Sequence, residues 1–282
     1  MEGRLYLCAT PIGNLEDITF RVLRTLKEAD LIAAEDTRNS IKLLNHFDIK
    51  TPMTSYHEYN KIEKGRQLIE KMKLGMQIAL ITDAGTPAVS DPGEELVAMC
   101  YEQGIPVTSL PGPAACITAL TLSGLSTRRF AFEAFLPSDK KERRTILEEL
   151  KEETRTIIMY EAPHRMAKTL EELKSVLGDR RMTLVRELTK RHETAFCTTI
   201  AEALRACREE GVRGECVIVV EGKSRDLLEE ESRETWRLMP LEEHMAYYES
   251  RGMDHKTAMK QVAKDRGVGK REIYQQLLDG KE

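Results

Sequence analysis

Hydrophobic residues fall into two alternating patterns along the chain. Continuous apolar runs of strand length occur at "RLYLCA", "LIAA", "QIALITD" and "PVTSL" in the first 110 residues, and at "FAFEAFL", "RTIIMYE", "MTLVREL" and "GECVIVVEG" after residue 129. Between them lie stretches with apolar positions three and four apart, such as "DITFRVLRTLKEAD", "KIEKGRQLIEKMKLG", "GEELVAMCYEQG" and "HRMAKTLEELKSVLG". Runs of the first kind fit buried strands and stretches of the second kind fit amphipathic helices. Their alternation predicts an α/β fold with mostly parallel sheets.

The pattern breaks twice. At "SGLSTRR", residues 123–129, the first set of strands is complete, which divides an N-terminal α/β domain (1–124) from a second α/β domain (125–222). At "EGKSRDLLEEESRETWR" the last apolar run gives way to acidic sequence, read as a linker or a solvated helix (223–238). Beyond it the period is purely helical. "PLEEHMAYYESRG", "DHKTAMKQVAKDRG" and "KREIYQQLLDG" form a small all-α module (239–282) resembling a helix-turn-helix. Lys256, Lys260 and Lys264 are four apart and share a helical face. Arg266, Lys270 and Arg271 follow, so residues 256–271 hold six Lys/Arg against one acid, Asp265. The stripe is a candidate nucleic-acid contact. The alternative is a solvated face on a small dimerising bundle.

Three loops stand out because each follows an expected strand: "ATPIGN" (9–14), "DAGTPAVSDPG" (83–93) and "PGPAAC" (111–116). Open α/β sheets bind ligands beyond the carboxyl ends of their strands. Gly and Pro make tight turns and let backbone approach a ligand closely. One such loop is ordinary connection chemistry, whereas three on one edge point to a shared pocket.

Composition narrows its occupant. The chain has 282 residues, 41% hydrophobic, and a net charge of −4, so overall charge does not point to nucleic acid and only local patches can. There is no GxxxxGK[ST] and no GxGxxG after the first strand, which argues against phosphate-loop and dinucleotide chemistry. Asp83 and Asp91 would suit Mg²⁺–phosphate chemistry, but their loop carries no Lys or Arg to meet phosphate. The six cysteines form no CxxC, and no metal-ligand spacing appears among the six histidines, so no metal is expected. Without a basic leader or an apolar run of about 18 residues, the chain reads as a soluble cytoplasmic protein.

The motifs "TPIGNLEDIT", "AEDTR", "SYHEYN", "DAGTPAVSDPG", "PGPAA", "FLP", "YEAPHR", "RELTKRHE" and "RGECVIVVEG" occur in this order between residues 10 and 222. In this they resemble the S-adenosylmethionine-dependent tetrapyrrole methylase superfamily. Within it the chain is similar to the RsmI family, which methylates a ribose 2′-hydroxyl of a cytidine in small-subunit (16S) ribosomal RNA. The resemblance implies two α/β domains of the tetrapyrrole methylase type with S-adenosyl-L-methionine in the cleft between them, a homodimer, and the small ribosomal subunit as partner. The implied cofactor contacts are Pro11 and Gly13 in the first loop, then Asp83, Ala84, Gly85, Thr86, Pro87 and Val89 in the second. Ala114 and Ala115 follow in the third, with Tyr160 and Glu161 from the second domain. Thr86 stands where the wider superfamily has the acid of a Gly-Asp-Pro loop. Ala134 replaces a Gly that usually precedes "FLP", a change expected to narrow the pocket.

Methyl transfer from a sulfonium is an in-line displacement, for which the protein chiefly supplies alignment. A ribose hydroxyl is a weak nucleophile and gains from a placed base. Glu35 and Asp36 are candidates for base or ribose anchor, with Arg38 on a phosphate; Asp36 or Thr37 also fits the N-cap of "RNSIKLLNHF". His57, beside Glu58, is a second catalytic candidate. Arg165, Arg186, Lys190 and "KKERR" (140–144) are candidate RNA contacts, with Lys256, Lys260 and Lys264 in the helical module. Two rival functions remain open from sequence: methylation of a tetrapyrrole or protein, and non-catalytic RNA binding. The basic loops and the C-terminal helices favour RNA over a small macrocycle, and the intact loops favour catalysis.

Overall fold

The computed structural model describes residues 2–279; Met1, which begins the first expected domain, and residues 280–282, which end the helical module, lie outside them. The chain divides into two compact units. One holds the residues up to Leu147 together with Arg155–Glu221, and the other holds Glu148–Thr154 together with the chain from Gly222 onward.

The first half of the larger unit runs β1 (Arg4–Cys8), α1 (Phe20–Glu28), β2 (Leu31–Ala34), α2 (Thr37–His46), β3 (Met53–Ser55), α3 (Lys61–Lys73), β4 (Gln77–Ile81), α4 (Gly93–Glu102), β5 (Val107–Leu110) and α5 (Ala115–Leu122). Its strands form a fully parallel sheet in the order β3-β2-β4-β1-β5. The continuous apolar runs are explained by burial on both faces. One face packs Leu5, Leu7, Ile78 and Leu80 under Leu68 and Met72 of α3 and Leu96 of α4. The other packs Ile32, Ala79 and Ile81 under Val22 and Leu26 of α1 and Leu44 of α2. Thr19 starts α1 cleanly, its hydroxyl accepting from Val22 N at 3.2 Å.

The second half runs β6 (Phe130–Phe135), α6 (Lys140–Leu150, whose residues after Leu147 are counted with the smaller unit), β7 (Thr156–Glu161), α7 (Met166–Leu177), β8 (Arg181–Arg186), β9 (Thr194–Thr199), α8 (Ile200–Glu210) and β10 (Cys216–Val220). Its sheet has the order β6-β7-β10-β8-β9. Only β6 and β7 pair in parallel; β7–β10, β10–β8 and β8–β9 are antiparallel. The expectation of mostly parallel sheets is therefore corrected here. A βα alternation cannot tell a return in the same direction from one in the opposite direction when the connecting segments are long. "KKERR", expected as a basic loop, is the first turn of α6. Its Arg143 is buried, donating from Nε to Glu172 (2.6 Å) and from Nη2 to Thr169 (2.7 Å).

Helix α5 belongs to the first half in sequence but packs on the second sheet. Cys116, Ala119 and Leu120, with Ile12 of the first loop, share a core with Ile158, Val185, Leu188, Val217 and Val219.

In the smaller unit, the acidic segment expected as a linker or solvated helix is helix α9 (Arg225–Leu238). Then come α10 (Leu241–Glu249), α11 (His255–Arg266) and α12 (Lys270–Asp279) around a core of Met245, Met259, Val262 and Ile273. Asp254 caps α11, and Gly267 ends it in the left-handed conformation (φ +66°). Lys256, Lys260 and Lys264 are all exposed on α11. Arg266 is not part of this stripe. It is buried, donating from Nε to His244 Nδ1 (3.1 Å) and from Nη2 to Met239 O (2.5 Å).

Candidate active site

Sheet order determines which loops can cooperate. Strands β4, β1 and β5 are neighbours, so the three Gly/Pro loops that follow them converge at one end of the sheet. Thr10 and Gly85 exchange backbone hydrogen bonds (2.8 and 3.1 Å), and the Thr86 hydroxyl donates to Pro113 O (2.9 Å). The second loop is thus tied to both others. Gly85 has φ +88°, and a Cβ there would meet Ile12 and Pro113 O. At Gly112 a Cβ would come within 2.5 Å of the Ala9 Cβ, so only glycine lets the third loop lie against the end of β1. Ala88 (φ +65°) and Ser90 (φ +64°) hold left-handed conformations on either side of Val89. The Asp91 carboxylate shapes this stretch by accepting from Ala88 N (3.0 Å) and Gly93 N (2.7 Å). Strained non-glycine backbone of this kind concentrates at functional loops.

The converging loops and the second sheet enclose a cavity of about 410 Å³. That lies within the ~300–1,000 Å³ range of small-molecule sites. Ala84, Gly85, Thr86, Val89, Ala114, Ala115, Tyr160 and Glu161, all named from the sequence, line it. Its walls are mostly apolar or backbone. Tyr160 spans the halves of the unit, its hydroxyl accepting from Cys116 N at 3.1 Å while its ring packs edge-on against Phe132 and tilted against Phe135. Burial pushes the Tyr160 phenol up, so it stays neutral. Glu161 is buried, and its carboxylate is taken up internally, accepting from Ala162 N (2.8 Å) and Thr169 Oγ1 (2.5 Å) and pairing with Arg165 Nε (3.3 Å). Arg165 also donates to Leu136 O (2.9 Å). It braces the cavity wall rather than presenting a free cation to phosphate.

Residues that were not singled out from the sequence are also part of the lining, among them Phe135, Leu188 and the run Gly214–Val217. Their signal lay within "FLP", "RELTKRHE" and "RGECVIVVEG", but only the topology brings these segments to the first sheet. Glu187 (φ +52°) joins two of them, accepting from Glu215 N at 2.9 Å and from Lys190 Nζ at 3.1 Å. The hydrogen bond from Glu215 N, then that from Lys190, holds its carboxyl below the usual range. Lys190 also pairs with Glu215 (2.9 Å) and packs where a Cβ on Gly13 would fall. Desolvation lowers the Lys190 ammonium, but the two carboxylates outweigh it and the net shift is upward. Arg186 Nε donates across the ladder to Thr194 (3.1 Å). Cys216, in the cavity wall, is pushed up to about 11 by burial and is no nucleophile at neutral pH.

On the other side of β4 lie β2 and β3, and their loops build a second, polar recess of about 400 Å³. It is lined by Glu35, Asp36, Thr37, Arg38, Ser55, His57, Glu58 and Tyr59. Every catalytic candidate from the sequence is here. Glu35 Oε2 accepts from Thr82 Oγ1 at 2.6 Å. Asp36 is the N-cap of α2, accepting from Arg38 N (2.8 Å) and pairing with the Arg38 guanidinium (2.7 Å). The bond from the Arg38 side chain is the main reason its carboxyl falls to about 2. His57 N donates to Asn60 Oδ1 (2.8 Å), which orients the amide so that its NH₂ faces His57 Nε2 (3.3 Å). The other ring nitrogen, Nδ1, is buried without a hydrogen bond among the described residues. A third recess, about 340 Å³, takes in Pro11, Gly13 and Asp83 with Asn39, Lys42 and His46 of α2. Asp83 accepts from Asp36 N (3.3 Å) and Asn39 (3.2 Å), linking the loop to the start of α2. Pro87 is buried within the loop.

The loop after β4 thus serves both main recesses. Thr82 holds Glu35 on one side, and Ala84, Gly85, Thr86 and Val89 line the apolar cavity on the other. The model of the Tetrapyrrole (Corrin/Porphyrin) Methylases matches residues 4–204, a span that carries the three loops, the polar recess and all of the cavity lining except Gly214–Val217. A protein of Halalkalibacterium halodurans named ribosomal RNA small subunit methyltransferase I is 50% identical over 97% of this chain and 94% of its own. Its namesake in Bacillus subtilis (strain 168) is 47% identical over 96% and 93%. The chain belongs to the tetrapyrrole methylases, within the family of ribosomal RNA small subunit methyltransferase I. Among solved structures, uroporphyrin-III-C-methyltransferase from Thermus thermophilus superposes with a TM-score of 0.56 at 20% identity, over 78% of this chain and 94% of that one. Diphthine synthase gives 0.59 at 16%, over 77% and 89%. These two likenesses concern the fold of this methylase.

Proposed function

We propose that this methylase transfers a methyl group from S-adenosyl-L-methionine to the 2′-hydroxyl of a cytidine in 16S ribosomal RNA of the small subunit. The observation that carries the reading is the 50% identity, across 97% of the chain, to a ribosomal RNA small subunit methyltransferase.

The cavity residues fit the cofactor. Ala84, Gly85, Ala114 and Ala115 leave backbone polar groups open to an adenosine and an amino acid. Helix α5 has no side-chain cap, and Ala115 and Cys116 of its first turn line the same space. When bound, the cofactor supplies a methyl group activated by a positive sulfonium. The apolar walls exclude water from that centre. Glu35 is the base: Thr82 fixes Oε2, and Oε1, with no hydrogen bond among the described residues, is free to take the 2′-hydroxyl proton. Asp36, held near pKa 2 by Arg38, is the weaker base, and the pair serves to orient the ribose and its phosphate. His57, with Nε2 facing the Asn60 amide and Nδ1 buried, presents no free ring nitrogen to the 2′-hydroxyl.

The same reading divides the chain at 124, 222 and 238. It assigns Lys256, Lys260 and Lys264, with Arg186, to RNA phosphates, and it makes the enzyme a cytoplasmic homodimer acting on assembled subunits. The test is methyl transfer from radiolabelled S-adenosylmethionine to small subunits from cells lacking the enzyme, and to protein-free 16S RNA, with nuclease mapping. Label on one cytidine ribose, faster in subunits, is expected. Label on a base, or none, overturns the activity; equal rates on both substrates overturn the preference for the subunit.

A further inference from the structure

The polar recess has an unusual wall. Its lining side chains are short, charged or tied down, except Tyr59, which is 97% exposed. The turn that presents it is fixed: Asn60 N donates to His57 O (3.0 Å), and the Asn60 amide accepts from His57 N. The Tyr59 ring stands edge-on to His57, with centroids 6.1 Å apart and planes at 64°. An aromatic presented on a fixed turn away from the core, at the edge of the recess that contains Glu35, contributes almost no burial to the fold.

We infer that Tyr59 is the stacking platform for the base of the methylated nucleotide. This rests on the reading of the reaction given above. If Glu35 takes the 2′-hydroxyl proton, the base on the neighbouring C1′ must lie at the rim of the same recess. A ribose buried to that depth has lost the stacking of its own strand. Enzymes that extract a nucleotide regain that loss by stacking the base on an aromatic face. Arg38, another planar group on the rim, is bound in its plane by both Asp36 carboxylate oxygens, at 3.1 and 2.7 Å, in the pair assigned above to the ribose and its phosphate. His57 is fixed by Asn60 and turned edge-on. Tyr59 is thereby a positioning residue for the acceptor, without contact with the methyl donor.

The test compares wild type, Tyr59→Phe and Tyr59→Ala by cofactor binding in calorimetry, thermal melting, and methyl transfer to undermethylated small subunits. Base–aromatic stacking measured by alanine substitution converts to a loss in kcat/KM of roughly fivefold to 150-fold for Tyr59→Ala. Tyr59→Phe keeps the ring and is expected within about twofold of wild type, since stacking uses the π-face. Cofactor affinity and melting temperature stay unchanged in both. Wild-type kcat/KM in Tyr59→Ala overturns the inference, as does a Tyr59→Phe variant that is equally impaired, which would place the function in the hydroxyl. A wild-type enzyme that binds S-adenosylmethionine yet labels no RNA overturns the underlying reading and this one with it.

Discussion

The two main recesses share a loop and differ in what they are made of. The apolar cavity is built from backbone and small side chains: Ala84, Gly85, Ala114 and Ala115 matter for the volume they leave empty. The polar recess is built from side chains: Glu35, Asp36, Arg38 and His57 matter for the atoms they present. A cavity of the first kind tolerates loss of side-chain atoms and fails when bulk is added. A recess of the second kind fails when one atom changes its chemistry. The two failures are therefore separable in one enzyme, one in cofactor affinity and the other in turnover.

The sharpest break comes at Glu35. Glu35→Gln keeps the shape and an acceptor for Thr82 but cannot take a proton. A placed base contributes about 10²–10⁴ in rate, so kcat is expected to fall by that factor while calorimetry finds cofactor affinity unchanged. If turnover survives, the base is elsewhere in the recess. The opposite break is Ala115→Phe, which fills the cavity from the first turn of α5. Overpacking costs about 1–3 kcal/mol, equivalent to cofactor binding weaker by roughly fivefold to 150-fold. Subunit binding in a filter assay should stay at the wild-type level, because the polar recess is untouched.

A pH profile separates Glu35 from Asp36. Asp36 sits at about 2 when folded, below the ordinary carboxylate value, so its contribution to stability is complete above the unfolded value near 4. That contribution is lost as pH falls toward 2. Between pH 5 and 9 Asp36 does not titrate. Asp36→Asn should leave the shape of the pH–rate curve unchanged over that range, whatever it does to the height. If an acidic limb disappears in that variant, Asp36 is the base and Glu35 is not.

The contrast also explains what could be read from sequence. The parallel sheet was legible because β1, β2 and β4 are buried on both faces and appear as unbroken apolar runs. The loops after β4, β1 and β5 were legible because tight turns at close backbone approach need Gly and Pro, as at Gly85 and Gly112. Strand β9, "TAFCTT", is an edge strand with Thr194–Cys197 exposed and no alternation, and β3 is three residues long, so neither carries a periodic signal. The direction of β8 and β10 depends on where long connections return, which no local pattern encodes. The far wall of the cavity, Leu188 and Gly214–Val217, was missed for the same reason. Arg165, Arg143 and Arg266 looked like surface cations. Their roles were fixed by partners distant in sequence, Leu136 O, Glu172 and His244.

Ala134 gives the smallest expected effect and a clear change of interpretation. From sequence, the methyl group in place of the usual glycine was expected to narrow the pocket, yet Ala134 does not line the cavity. It lies in β6 between Phe132 and Phe135, where the pairing with β7 shifts register, and its φ is +50°. Glycine suits the position because of the backbone: an alanine Cβ in the left-handed region costs about 1–2 kcal/mol. Against this, glycine adds about 0.5–1 kcal/mol of chain entropy to the unfolded state. Ala134→Gly should therefore stabilise the enzyme by about 0.5–1 kcal/mol in urea titration, with cofactor affinity and turnover unchanged. A stabilised variant with tighter cofactor binding would restore the pocket interpretation. A destabilised one would mean that the bulge holds Phe135 against Tyr160 through the Ala134 methyl itself.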